Sequence, residues 1–147
     1  MSMALDRGTL LPPALRAAVA GRGPVVILGM HGMTCPGCRE YLDGLADAGS
    51  AIAGWGGRVF VLLAGDGAAA ASRALPGGLL PLPVGDPGVR AAAPFVVVTD
   101  EWGEVFFGAR GSVDHDLPSP AELAEWVAFA AIQCPECENP EGGWRSL

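Results

Sequence analysis

The chain has 147 residues, half of them hydrophobic and 17% charged, which fits one folded domain with a sizeable core and excludes a disordered composition. Nine basic and sixteen acidic residues give a net charge of −7, so the sequence lacks the basic stripe that a nucleic-acid backbone would require. No apolar run approaches the ~20 residues of a membrane helix, and no apolar signal segment precedes a cleavage site. Together with the charge, these features lead us to expect a cytoplasmic protein that binds neither nucleic acid nor membrane.

The first third of the sequence predicts a helix, a buried strand and a second helix. Residues 10–20 have helical composition, with two prolines suited to a first helical turn. Val25–Met30 is a continuous apolar run, which indicates a central strand buried on both faces. Beyond the loop that contains His31 and Cys35, the apolar spacing predicts a helix over residues 39–53.

The middle of the chain predicts shorter elements around one more buried strand. Arg58–Leu63 is apolar from its second residue onward and contains two β-branched valines, which predicts that strand. Asp66 can cap an alanine-rich helix over residues 66–75. The apolar segment 79–84 contains two prolines and therefore permits only a short or edge strand. A short helix is predicted over residues 89–93.

The last third predicts a hairpin followed by a helix. Residues 95–107 have the pattern of a strand, a turn that ends in glycine and a second strand. Ser119 and Glu122 form a capping box at the start of the helix, whose apolar face continues to Cys134. The remaining residues, 135–147, are polar and glycine-rich and predict an irregular tail.

This order of elements predicts an α/β fold with a mixed central sheet and helices on both faces. We divide the chain into an N-terminal helical extension over residues 1–22, a central domain over residues 23–133 and a cysteine-containing C-terminal tail over residues 134–147.

The four cysteines form two C-x-x-C pairs, Cys35/Cys38 and Cys134/Cys137. In a reducing compartment such pairs are more often catalytic or metal-binding than structural. Cys35 stands at a predicted helix start, where unpaired backbone N–H groups and the helix dipole favour a thiolate. We therefore predict Cys35 as the attacking thiol and Cys38, one turn later, as the resolving thiol of a redox dithiol.

Metal binding is the main alternative for both pairs. Together they offer the four thiolates of a zinc site, and Cys134 with Cys137 could bind a metal shared between the chains of a homodimer. The seven residues from Gly32 to Cys38 read GMTCPGC and resemble the loop of heavy-metal-associated copper-chaperone domains, which implies Cu(I). His31 is the nearest candidate for a proton-transfer partner or a further metal ligand.

Three segments together resemble the thioredoxin-like superfamily, and within it the redoxin branch of alkyl hydroperoxide reductase and thiol-specific antioxidant proteins (peroxiredoxin-like). They are the strand, CPGC and helix from residue 25 onward, the stretch LPVGDPGVRAA at 82–92, and PFVVVTDEWGEV at 94–105. The resemblance implies a thioredoxin-like fold and disulfide exchange with protein thiols or disulfides, or with a low-molecular-weight thiol, with no cofactor required. It also implies that the bond before Pro94 is cis and faces the dithiol.

The sequence departs from these relatives around the cysteines. The Pro-x-x-x-Thr-x-x lead-in of a peroxidatic cysteine is absent before Cys35 and Cys38, so peroxide reduction is not expected. Thr34 stands where thioredoxins usually carry tryptophan, and Val25–Met30 contains no acid. These departures leave a third interpretation open, a non-catalytic interaction protein of redoxin fold.

Overall fold

The computed structural model describes residues 5–32, 35–64, 75–82, 89, 94–111 and 116–132. Its helices are α1 (Pro13–Ala18), α2 (Pro36–Asp47), α3 (Gly49–Gly54) and α4 (Pro120–Ala131). Its strands are β1 (Val25–Met30), β2 (Arg58–Leu63), β3 (Leu79–Pro81), β4 (Phe95–Thr99) and β5 (Val105–Arg110). The helices that are described include none long and apolar enough to cross a bilayer.

The five strands form one mixed sheet in the order β3-β2-β1-β4-β5. β1 pairs in parallel with β2, and β2 pairs in parallel with β3, whereas β4 runs antiparallel to both β1 and β5. All six residues of β1 are buried, which confirms the central strand that the continuous apolar run predicted. β3 lies at an edge, where Pro81 costs no ladder hydrogen bond.

Helices cover both faces of the sheet, as predicted. Alternate residues of β1 point to opposite faces, so that Val26 and Leu28 join one core cluster while Val25 and Ile27 join the other. Residues of α2, α3 and α4 complete the first cluster. The second is covered by the N-terminal segment around α1, through the buried side chains Leu11, Leu15 and Val19.

The helix predicted over residues 39–53 is two helices in the structure. It begins at Pro36, directly after the helix start predicted at Cys35, because proline suits the first helical position. The regular turn breaks at Ala48, which caps the end of α2, and α3 begins at Gly49. Glycine has a low helix propensity, and this weakness explains the break.

Element ends also differ from the sequence prediction elsewhere. α1 is shorter than the predicted segment 10–20, and β5 continues to Arg110 rather than ending at residue 107. α4 ends at Ala131, three residues before Cys134. Its start is as predicted, because the Ser119 hydroxyl accepts a hydrogen bond from the Glu122 N–H at 3.2 Å.

Several predicted features fall wholly or largely outside the described residues. These are the helices at 66–75 and 89–93, Thr34, the loop with His115, and the tail with Cys134 and Cys137.

Candidate active site

The loop after β1 and the first turn of α2 position the CPGC motif. Cys35 is the N-cap residue of α2, with the extended backbone angles φ −86° and ψ 114°, and Pro36 is the first helical residue. The Cys35 carbonyl accepts the first helical hydrogen bond from the Arg39 N–H at 3.0 Å, and the Cys35 N–H donates to the Gly32 carbonyl at 3.3 Å. This places Cys35 at the helix N-terminus, as the sequence predicted.

Three reactive side chains converge there. The Sγ atoms of Cys35 and Cys38 and a ring nitrogen of His31 all lie within 4.8 Å of one another. His31 is exposed, Cys35 is half-buried and Cys38 has 0% of its surface exposed. The two cysteines are in the dithiol form. One thiol is therefore within reach of a substrate, and the second lies directly behind it.

The two thiols have opposite pKa shifts. Burial raises the pKa of Cys35, but hydrogen bonds from the Cys38 side chain and from the backbone of Cys38 and Gly37 outweigh it, so the pKa of Cys35 is lowered. Burial raises the pKa of Cys38, and its interactions with Cys35 raise it further, against backbone hydrogen bonds from Gly32 and His31. The more accessible sulfur is thus the better thiolate, which is the order that the sequence analysis assigned.

Apolar side chains surround the buried thiol. Cys38 belongs to the same core cluster as Met30 and Leu42. Among the described residues, Thr99 is the single buried polar side chain, and it pairs with Val25 at the opposite end of β1. No carboxylate is buried among the described residues, and the His31 ring is the side chain that groups with the two sulfurs.

Comparison with solved structures identifies the architecture. A peroxiredoxin-like protein from Aquifex aeolicus is similar with a TM-score of 0.57 and 17% identity, over 76% of this chain and 74% of its own. A protein designated thiol:disulfide interchange protein DsbE, from Chlorobium tepidum, has a TM-score of 0.57 and 17% identity, over 87% of this chain and 99% of its own. ScoI from Bradyrhizobium japonicum, with copper bound, has a TM-score of 0.50 and 13% identity, over 78% of this chain and 88% of its own.

The chain has a thioredoxin-like fold. No family model matches the sequence, and no curated protein does. At these identities the similarity establishes the fold alone.

Pro94 directly precedes β4. Gly29 is paired with Phe95, so Pro94 stands next to the end of β1 that leads to His31. Pro94 is buried, and its carbonyl accepts a hydrogen bond from the Gly111 N–H at 2.8 Å. The cis bond predicted before Pro94 involves Ala93, which lies outside the described residues.

Two features of the site were missed by the sequence analysis. The exposed side of the first turns of α2 forms a shallow cavity of ≈ 330 Å³ beside the motif, lined by Pro36, Arg39, Glu40 and Asp43. Their helical spacing was the available signal. The Tyr41 hydroxyl donates to the Pro118 carbonyl and ties α2 to the start of α4, a contact between segments 77 residues apart that no local pattern reveals.

The lowered pKa of Cys35 gives a pH-dependent prediction. We expect its alkylation by iodoacetamide to reach half its maximal rate at a lower pH than for an ordinary cysteine, ~8.5, because the thiolate is the reacting species. Cys38→Ala removes the side-chain hydrogen bond and should move this midpoint to higher pH. Mass spectrometry of the modified Cys35 peptide across a pH series measures both. An unchanged midpoint in Cys38→Ala would contradict the assigned hydrogen bond.

Proposed function

We propose that this protein is a thiol–disulfide oxidoreductase that uses Cys35 and Cys38. The observation that carries the proposal is the arrangement of a half-buried thiol with a lowered pKa at a helix N-terminus, within 4.8 Å of a buried thiol with a raised pKa. Such an asymmetric pair can attack a disulfide with one sulfur and resolve the product with the other.

The reaction follows from the two positions. The Cys35 thiolate attacks one sulfur of a substrate disulfide, forms a mixed disulfide and releases the first substrate thiolate. Cys38 then attacks Cys35 Sγ, closes the Cys35–Cys38 disulfide and releases the second substrate thiolate. The substrate gains the two electrons that the dithiol loses, and the released thiolates take up the protons. Because the sulfurs carry both electrons, this exchange requires no cofactor.

The proposed partners are disulfides or thiols of other proteins, or a low-molecular-weight thiol. The name of the DsbE neighbour, a thiol:disulfide interchange protein, supports this substrate class. The cavity lined by Arg39, Glu40 and Asp43 adjoins the motif and offers a polar surface for such a partner. Peroxide reduction is not part of the proposal, and action in the cytoplasm stays a prediction from the sequence.

A redox equilibrium tests the proposal. The protein, in a Cys134→Ser/Cys137→Ser background, is incubated with graded ratios of reduced to oxidised dithiothreitol, and the remaining thiols are alkylated and counted by mass. We expect a single reversible two-electron transition between a Cys35–Cys38 disulfide and the dithiol, because the two sulfurs are already close. A chain that forms no such bond at any ratio would contradict the proposal and favour the non-catalytic interaction protein.

A second candidate function is metal binding by the same residues. His31, Cys35 and Cys38 supply three ligand atoms within 4.8 Å of one another, and the structural neighbour ScoI has copper bound. Thiolates and imidazole suit zinc as well as copper. Elemental analysis of anaerobically purified protein tests this function: a stoichiometric metal that is lost in Cys35→Ser supports it.

A further inference from the structure

The histidine beside the dithiol has no step in the exchange reaction proposed above. His31 is the first residue after β1, exposed to solvent, and it is separated from Cys35 by three residues of the loop. Its ring nitrogen nevertheless lies within 4.8 Å of both sulfurs, although one of them is buried. The β1–α2 turn thus brings one imidazole and two thiols to a common point.

The number and type of these donors discriminate between metals. Sulfur and imidazole donors suit soft or borderline cations such as Cu(I) and Zn²⁺ rather than Mg²⁺ or Ca²⁺. Structural zinc sites are almost always four-coordinate, whereas no fourth ligand atom joins this group within the described part of the chain. Two thiolates and one imidazole can complete a Cu(I) site by themselves, whereas zinc would need water or another group as its fourth ligand.

We infer that His31, Cys35 and Cys38 together bind one Cu(I) ion, with His31 as the third ligand, and that the bound ion withdraws the dithiol from disulfide exchange. This inference rests on the metal-binding function proposed above and names its ion, its ligands and its consequence. The ion displaces the protons of the two thiols, with no change in oxidation state. A sulfur whose lone pairs are bound to the metal cannot attack a disulfide. Conversely, the Cys35–Cys38 disulfide contains no thiolate, so the oxidised protein should not bind the ion.

An anaerobic titration of the reduced protein tests the ligand set. Cu(I) is added as its complex with bicinchoninate, a chelator whose colour reports the copper that the protein removes. The Cys134→Ser/Cys137→Ser background leaves Cys35 and Cys38 as the remaining cysteines. We expect one Cu(I) per chain, no binding in Cys35→Ser or Cys38→Ser, and an affinity at least about tenfold weaker in His31→Ala.

Two variants control for effects other than ligation. His115→Ala removes the other of the two histidines in the sequence and should leave the Cu(I) affinity within about twofold of the parent. His31→Cys replaces the imidazole with a soft thiolate and should recover most of the affinity lost in His31→Ala, which a merely structural role of His31 would not explain. His31 is exposed, so neither change at this position should prevent folding.

The outcomes separate this inference from the functions on which it depends. Stoichiometric copper that binds equally well to the parent and to His31→Ala would overturn the inference and leave the metal-binding function standing. No copper bound to the parent would overturn both, while the redox equilibrium of Cys35 and Cys38 would be unaffected. Tighter binding of Zn²⁺ than of Cu(I) would overturn the choice of ion. Unchanged disulfide-exchange rates with one equivalent of Cu(I) bound would overturn the proposed withdrawal of the dithiol.

Discussion

Replacing Cys35 with serine is expected to lower the rate of insulin-disulfide reduction by about 1,000-fold or more, because a hydroxyl cannot replace the attacking thiolate. Cys38→Ser should also stop turnover, but at a later step. Its Cys35 remains half-buried at the start of α2 and can still attack, so this variant should accumulate the mixed disulfide that Cys38 normally resolves. The measurements are insulin turbidity with dithiothreitol as reductant, and the mass of the unreduced adduct.

The second cysteine pair provides the matched control. Cys134→Ser/Cys137→Ser makes the same chemical change at cysteines to which the proposal gives no role, and should retain the parent rate. If the mixed disulfide accumulates on Cys38 in the Cys35→Ser variant, and not on Cys35 in the Cys38→Ser variant, then the two assigned roles are reversed. Equal rates in the parent and in Cys35→Ser would end the oxidoreductase proposal.

Much of the fold could be predicted because it is encoded in local patterns. Two continuous apolar runs identified β1 and β2 with their actual bounds, and a capping box located the start of α4. The split between α2 and α3 was not predicted. The apolar spacing predicted one continuous helix, whereas the break depends on the low helix propensity of glycine. The cover that Leu11, Leu15 and Val19 provide for one sheet face was missed as well, since it depends on contacts with distant strands.

The site was predicted only in part, because local patterns show which residues are present but not what surrounds them. The C-x-x-C spacing and a helix start suffice to place Cys35 and Cys38 one turn apart. The opposite pKa shifts of the two thiols depend on burial and on backbone groups that face them, which a sequence does not show. The approach of His31 to both sulfurs depends likewise on the path of the β1–α2 turn. The identities and the roles of the two cysteines were therefore predictable, while the causes of their opposite pKa shifts and the position of His31 required the structure.

Gly29 is the position where a single methyl group should disturb both the core and the site. A Cβ at this residue would overlap the Phe95 ring, lying against its Cδ1 and Cε1 atoms and 3.0 Å from Cζ. Phe95 is fully buried, so the ring cannot swing into solvent. We expect Gly29→Ala to lower the free energy of unfolding by about 2–3 kcal/mol, as overpacking typically does, and to slow insulin reduction because β1 leads directly to His31 and the dithiol. Urea unfolding monitored by circular dichroism measures the first effect.

A glycine-to-alanine change elsewhere and a change at Phe95 test whether contact with the Phe95 ring is what makes Gly29→Ala destabilising. Gly49→Ala adds a methyl group in α3 with no atom within 4 Å of it, and should be neutral or stabilise by up to about 1 kcal/mol. Phe95→Leu makes room at the ring and should be destabilising alone, yet Gly29→Ala/Phe95→Leu should cost less than the sum of the single changes, since the two residues share one contact. Strict additivity of the two changes would show that Gly29 is required for a reason other than the Phe95 ring.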